Sequence, residues 1–207
     1  PSFVFAQQMI IKPMWGEKEL VYGKYYQSGK DSIMVDRLRM YLSSVRFMDN
    51  NKVVDVSEKK FYLISDEDPA SFILKLKRSN DLPFHSVRFG IGVDSLTSVS
   101  GAFGGDLDPV NGMYWTWQSG YINFKLEGSA SECGSDDHRF EFHIGGYQYP
   151  CNSYMETEVI AKDNGDIVVH FPVDQLLHGQ DLKHDFRIMS PNDKALNFAK
   201  KIKAVLH

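Results

Sequence analysis

Three side chains in the second half of the sequence are donor types that a soft metal ion prefers. His184 and Met189 lie five residues apart in one segment, and His143 lies in the run from Phe140 to Gly146. Imidazole nitrogen and thioether sulfur together suit Cu(I). Spacing alone leaves a second interpretation open, in which Met189 belongs to the core and His143 is a surface histidine.

The run around His143 has the alternation of a β-strand, predicted over Arg139 to Gly145. Successive strand residues point to opposite faces, so Phe140, Phe142 and Ile144 share one face. Glu141 and His143 then lie on the other face. His143 is therefore not expected to fill the apolar layer.

A group of oxygen donors surrounds the glycine-rich loop from residue 101 to residue 111. Asp94, Asp106, Asp108 and Asn111 lie in or near this loop. Carboxylate and amide oxygens are the ligands that Ca²⁺ prefers, and we expect a calcium site near Asp106 and Asp108. Turn formation accounts for the same residues equally well.

Two of the three tryptophans, Trp115 and Trp117, lie two residues apart in the run from Gly112 to Ile122. In a strand, such a pair points to the same face. Two neighbouring indoles require a large apolar layer, so this run is predicted to be a central core strand.

The sequence contains no motif of nucleophilic or zinc-dependent catalysis, such as Gly-x-Ser-x-Gly, His-Glu-x-x-His or Cys-x-x-Cys. We therefore expect a binding protein and not an enzyme. With 23 basic and 27 acidic residues, the net charge of −4 gives no electrostatic basis for nucleic-acid binding. No apolar run is long enough to span a bilayer.

The two cysteines, Cys133 and Cys151, bracket the predicted His143 strand. We expect them to form a disulfide bond, which would imply an oxidising compartment. The first residues lack the basic flank of a signal peptide, and we expect that such a leader has been removed.

The elements that must position these side chains are mostly short strands separated by Gly, Pro, Asn and Asp turns. They predict a single domain over residues 1–207, an antiparallel β-sandwich with one C-terminal amphipathic helix. The helix is expected after Ser190, the predicted N-cap, with Pro191 in its first turn. Its apolar residues recur at helical spacing: Ala195, Phe198, Ala199, Ile202 and Val205.

Taken together, several segments resemble the MbnP-like family of methanobactin-associated periplasmic copper-binding proteins and their bacterial relatives. The resemblance covers nearly the whole chain. The segments are Leu38 to Phe47, Phe61 to Asp66, Phe89 to Ser95, Leu107 to Tyr121 (which contains Gly-Met-Tyr-Trp-Thr-Trp-Gln-Ser-Gly-Tyr), Phe142 to Tyr147, and His184 to Met189.

The resemblance implies a periplasmic or cell-surface β-protein that binds one copper ion. It implies that His143 and His184 are the imidazole ligands, with Met189 as a soft ligand. In studied relatives, a di-haem partner protein oxidises a tryptophan near the metal to kynurenine, and Trp115 or Trp117 would be that residue here.

A second hypothesis needs no metal. Aromatic side chains in loops are common anchors for sugars and partner proteins. Tyr147, Tyr149 and Tyr154 lie close together in the sequence beside Cys151. They would make the protein a glycan-binding or protein-binding module of the same family.

Overall fold

The computed structural model describes residues 5–116, 118–161 and 165–207. The strands within these ranges are β1 (Phe5–Trp15), β2 (Lys18–Glu19), β3 (Tyr25–Ser28), β4 (Asp31–Asp49), β5 (Lys52–Val56), β6 (Phe61–Ser65), β7 (Ile73–Arg78), β8 (Ser86–Ile91), β9 (Tyr114–Thr116), β10 (Gly120–Ala130), β11 (Arg139–Gly145), β12 (Met155–Ile160), β13 (Ile167–Pro172) and β14 (Arg187–Ile188). The helices are α1 (Ser95–Val99), α2 (Val173–Leu177) and α3 (Asp193–Val205), with 3-10 turns at Pro69–Phe72, Gly105–Leu107 and Pro109–Asn111.

The strands form two sheets. In the larger sheet, the strand order is β12-β8-β4-β10-β11-β14, with β3, β5 and β6 also paired to β4 and β9 paired to β10. In the smaller sheet, β1 pairs with β13, β2 and β7. Most pairs are antiparallel, but β1–β13 and β11–β14 are parallel.

Among the described residues, the larger of two apolar clusters lies between the sheets and under helix α3. Phe124 of β10 packs edge-on against Phe171 of β13, with ring centroids 5.7 Å apart, and lies 6.2 Å from Phe198 of α3. Burial of such rings is the main source of stability in a β-sandwich. The predicted mainly β sandwich with a C-terminal helix is therefore confirmed.

Helix α3 begins two residues later than predicted, at Asp193 and not at Pro191. Asn192 is the N-cap, because its side-chain oxygen accepts a hydrogen bond from the Ala195 amide at 2.9 Å. Ser190 and Pro191 precede the helix. The predicted apolar face is otherwise correct, since Ala195, Phe198, Ala199 and Ile202 are all buried.

The run from Gly112 to Ile122 is not one central core strand. β9 covers only Tyr114–Thr116 and forms a short pairing with β10, and Trp115 is half-buried. Trp117 lies outside the described residues. The central strands are β4 and β10, because β10 lies between β4 and β11 and its residues Tyr121 to Lys125 are all buried.

Candidate metal centre

Two rows of polar residues cross the face of the larger sheet that points away from the core. The strand register sets Arg39 of β4 opposite Lys125 of β10, and Lys125 opposite His143 of β11. The neighbouring row consists of Arg37, Glu127, Glu141 and Arg187, on β4, β10, β11 and β14. We call these two rows the polar face.

His143 lies on the polar face, as its alternation predicts, but it is largely covered, with 8% of its surface exposed. Its Nε2 lies 2.7 Å from Oε1 of Glu127. The hydrogen bond from His143 holds the pKa of the Glu127 carboxyl below its usual value, so this group is ionised at neutral pH. A carboxylate only accepts hydrogen bonds, so Nε2 carries the proton.

In a neutral His143, the second ring nitrogen, Nδ1, then carries the lone pair that could bind a metal ion. Within the ranges that the structure describes, Nδ1 has no hydrogen-bond partner. Ligating histidines commonly donate one ring N–H to a carboxylate and give the other nitrogen to the metal. The Glu127–His143 pair has this arrangement.

Met189 follows the last residue of β14, just past the point where this strand pairs with the His143 strand. The parallel pair β11–β14 sets Phe142 opposite Ile188, and these two side chains are buried in the core. The next residue on each chain is His143 and Met189. Met189 is 46% exposed, so its thioether is not a core group.

Trp115 is also close to His143. Gly145 lies two residues after His143 and therefore presents its Cα to the same face of β11. A Cβ at Gly145 would lie 2.7 Å from Cζ3 of the Trp115 indole. The glycine thus allows the indole to lie directly on the strand beside His143.

Buried basic residues hold the glycine-rich loop against the polar face. Nζ of Lys125 donates to the Gly112 carbonyl at 2.6 Å, and an Arg39 nitrogen donates to the Asn111 carbonyl at 2.8 Å. Burial lowers the pKa of Lys125. Arg39 is also paired with the Glu67 carboxylate.

These partners were not identified as site residues from the sequence. Lys125 and Glu127 alternate with Phe124 and Leu126, so a second two-faced strand could have been recognised. Its pairing with the His143 strand could not, because alternation does not specify which strands are neighbours.

His184 is not beside His143. Its turn packs toward the start of β11, where Gly134 donates its amide to the Leu182 carbonyl at 3.1 Å and Glu141 donates to that of Phe186 at 2.8 Å. The ring is exposed, and its Nδ1 lies 2.8 Å from Oδ2 of Asp181. This bond holds the pKa of Asp181 below its usual value. Trp115 thus lies over Gly145 and Met189 follows the strand that pairs with β11, whereas the His184 turn packs toward the other end of β11.

The carboxylates proposed for calcium have protein partners. Oδ2 of Asp106 accepts from the Leu63 amide at 2.8 Å and pairs with Nζ of Lys59 at 2.8 Å. Oδ1 of Asp108 accepts from the Val110 amide at 2.9 Å and caps the turn that follows. These contacts give both residues a structural role, and a calcium ion there stays a prediction.

The expected disulfide bond is wrong, because Cys133 and Cys151 are free thiols. They lie at opposite ends of β11. The Sγ of Cys133 lies 3.2 Å from the Arg139 carbonyl, where the strand begins, and Cys151 lies beside Gly146, just after its end. A disulfide requires Cα atoms within about 7 Å.

Among the described residues, no three or more His, Cys, Asp and Glu side chains are grouped in a way that could hold a metal ion. A metal ion at His143 would therefore not be held by a cluster of such side chains. In the same ranges, no helix is long and apolar enough to cross a membrane.

Comparison with known proteins supports the resemblance seen in the sequence. The model of a family described as MbnP matches residues 6–193. Among solved structures, MbnP from Methylosinus trichosporium superposes with a TM-score of 0.70 at 12% identity, and the alignment covers 94% of this chain and 87% of that chain. At this identity, the likeness shows a shared fold. A search of curated proteins found no match.

Proposed function

The chain belongs to the MbnP family, and from this premise we propose that it is a copper-binding protein of the periplasm or cell surface and not an enzyme. We propose His143 Nδ1 and the Met189 thioether as ligands. The observation that carries this proposal is the hydrogen bonding of His143, whose Nε2 is held by Glu127 while Nδ1 has no hydrogen-bond partner among the described residues. Met189 supports it, because it follows Ile188, the β14 residue that pairs with Phe142.

The charges around His143 favour a singly charged ion. Lys125 lies directly opposite His143 in the sheet, and Arg39 lies opposite Lys125. Arg39 is already paired with Glu67, so Lys125 is the cation that faces the site, and its repulsion is stronger for a divalent ion than for a singly charged one. Thioether sulfur also favours Cu(I) over harder ions.

The family resemblance implies two further features. It implies His184 as the second imidazole, but the His184 turn lies toward the other end of β11, so His184 is not among the ligands proposed here. Oxidation of Trp115 or Trp117 to kynurenine by a di-haem partner would place an aryl amine near copper. Trp115 is the residue whose position beside Gly145 supports this role.

Titration with Cu(I) under reducing conditions, against a chromophoric Cu(I) chelator, tests the ligand assignment. We expect one Cu(I) per chain, and loss of this binding in Met189→Ala and His143→Ala. Met189 is exposed, so its substitution tests the ligand without disturbing the core. Met189→Leu keeps the side-chain bulk and removes only the sulfur.

His85→Ala is the matched control. Nδ1 of His85 lies 2.6 Å from Oδ1 of Asp49, so this histidine has the same carboxylate contact in an exposed position. We expect its Cu(I) affinity to equal that of the wild type. Unchanged Cu(I) affinity in both His143→Ala and Met189→Leu would refute the ligand assignment.

The second candidate function is a non-metal interaction module. Tyr149 is 97% exposed, and Leu96 and Val99 on helix α1 are 80% and 65% exposed. This helix is joined to the tyrosine loop, because Oγ of Ser95 donates to the Tyr147 carbonyl at 2.8 Å. Tyr154 is half-buried and is a weaker anchor.

A glycan array and a pull-down with Tyr149→Ala as control test this alternative. Glycan or protein binding that is lost in Tyr149→Ala and unchanged in Met189→Leu would favour the interaction module. Absence of any Tyr149-dependent binding, together with one Cu(I) per chain, would favour the copper-binding function.

A further inference from the structure

Two histidines face each other at the outer edge of the smaller sheet, away from the polar face. His170 lies on β13, and His207 follows helix α3. The His170 amide donates to the His207 carbonyl at 2.7 Å, and the His207 amide donates to the His170 carbonyl at 3.3 Å. Two residues that exchange both backbone hydrogen bonds are directly opposite each other, with their side chains on the same side.

The two imidazoles are within the range that one metal ion can bridge. Their ring centroids are 6.0 Å apart and their planes are 74° from each other. With metal–nitrogen bonds of about 2.0–2.1 Å, two imidazoles on one ion have centroids roughly 5 to 6.5 Å apart. A small rotation of either exposed ring would therefore complete the chelate.

Both rings have nitrogen atoms available for a ligand. Nδ1 of His207 lies 2.9 Å from the Val205 carbonyl, which leaves Nε2 as the free atom of a neutral ring. The His170 side chain has no hydrogen-bond partner within the described ranges. An imidazole whose Nδ1–H is held by a backbone carbonyl is a common arrangement in metal ligands.

The surroundings add carboxylates without closing the site, and Lys12, which lies opposite His170 on β1, is already paired with Glu19. The two histidines line a groove of about 470 Å³ together with Glu158, Asp166, Val168 and Leu206. Glu158 is already bound by Ser86 and Arg88. Asp166 precedes β13 and is exposed, so it attracts a cation to the groove but lies four residues from His170.

We propose that His170 and His207 form a second metal site, specific for borderline divalent cations such as Zn²⁺ or Cu²⁺. Imidazole nitrogens suit these ions, and water would complete the coordination. The site contains no sulfur and is on the other sheet from His143, so it is independent of the proposed Cu(I) centre. Bound metal would fasten the end of helix α3 to β13.

Competition for Zn²⁺ with a chromophoric chelator tests this site. We expect His170→Ala and His207→Ala each to lose affinity on the order of tenfold or more, because a single remaining imidazole cannot chelate. The double variant should be no worse than either single variant. His178→Ala removes an exposed histidine elsewhere and should leave the affinity unchanged.

His143→Ala separates this proposal from the function proposed above. Zn²⁺ affinity that persists in His143→Ala and falls in His170→Ala supports the edge site, whether or not the protein binds Cu(I). Equal Zn²⁺ affinity in the wild type and the His170→Ala/His207→Ala double variant would overturn it.

Hydrogen exchange gives a second readout. If the metal fastens the end of helix α3, Zn²⁺ should slow exchange of the His170 and His207 amides in the wild type and in His178→Ala, but not in His170→Ala. Unchanged exchange at saturating Zn²⁺ would also overturn the proposed fastening of α3 to β13.

Discussion

The two faces of the strand pair β10–β11 differ in what they contribute. On the core face, Phe124, Leu126 and Phe142 are fully buried. On the polar face, Lys125 and His143 are nearly as well covered, but each has a specific polar partner. At these positions both faces are largely covered, yet the core face is held by packing and the polar face by hydrogen bonds.

This contrast shows that burial alone does not identify a core residue. Apolar groups gain stability in proportion to the area they remove from water. Buried charges cost free energy unless they are paired, so their positions are fixed by the partners that they require. Lys125, Glu127 and His143 therefore require hydrogen-bond partners at particular positions. The apolar side chains of the core do not have this requirement.

The strongest effect is expected on the core face. Phe142→Ala should lower the free energy of unfolding by about 3–5 kcal/mol, because it removes a ring that lies between Phe140 and Phe198. Urea denaturation measures this loss. Cu(I) affinity, measured on the folded variant, should change little. A large loss of affinity at full folding would show that the two faces are not separable.

On the polar face, Glu127→Ala should weaken Cu(I) binding by about 10–100-fold, the usual cost of removing a carboxylate that orients a ligating histidine. Glu127→Gln keeps an acceptor oxygen for Nε2 of His143 and should lose less. Chelator competition on both variants measures the difference. Equal affinities in Glu127→Ala and the wild type would mean that Glu127 does not orient a ligand.

Acid should destabilise the polar face before it affects core packing. The pKa of Glu127 is lower in the folded protein than in the unfolded chain, chiefly because of the His143 hydrogen bond. Its stabilising contribution is therefore present above the unfolded pKa of about 4.3 and is lost as the pH falls through the lower folded value. Unfolding curves between neutral and acidic pH should show a smaller acid dependence in Glu127→Gln. An identical dependence would contradict this assignment.

The weakest effect is expected for His184, which has the same type of carboxylate contact as His143 but is exposed. His184→Ala should reduce Cu(I) affinity by less than about threefold, since its ring does not share the polar face with His143 and Met189. Chelator competition measures this change. A loss as large as that of His143→Ala would show that the turn from residue 181 to residue 185 moves toward the metal.

The bounds of the His143 strand, and the faces on which its side chains lie, could be predicted from local sequence. The strand Arg139–Gly145 has the predicted bounds, and Phe142 and His143 lie on the predicted opposite faces. The apolar stripe of helix α3 was also correct. These predictions hold because strand and helix periodicities depend only on backbone geometry.

The errors concern features that depend on distant neighbours. Trp115 and Trp117 suggested a central strand, but Trp115 lies over Gly145 at the edge of the polar face. Cys133 and Cys151 suggested a disulfide bond, but the strand between them holds the two thiols at its opposite ends. The Ser190 cap was replaced by Asn192, whose side chain reaches the Ala195 amide.

Local sequence was enough to establish a mainly β chain with a C-terminal helix, and to establish which side chains share a strand face. The contacts of Glu127 with His143, of β11 with β14, and of His170 with His207 came only from the folded chain. Side-chain alternation is a property of each strand alone. Register and strand order arise from pairing between residues that are far apart in the chain, so no single strand contains them.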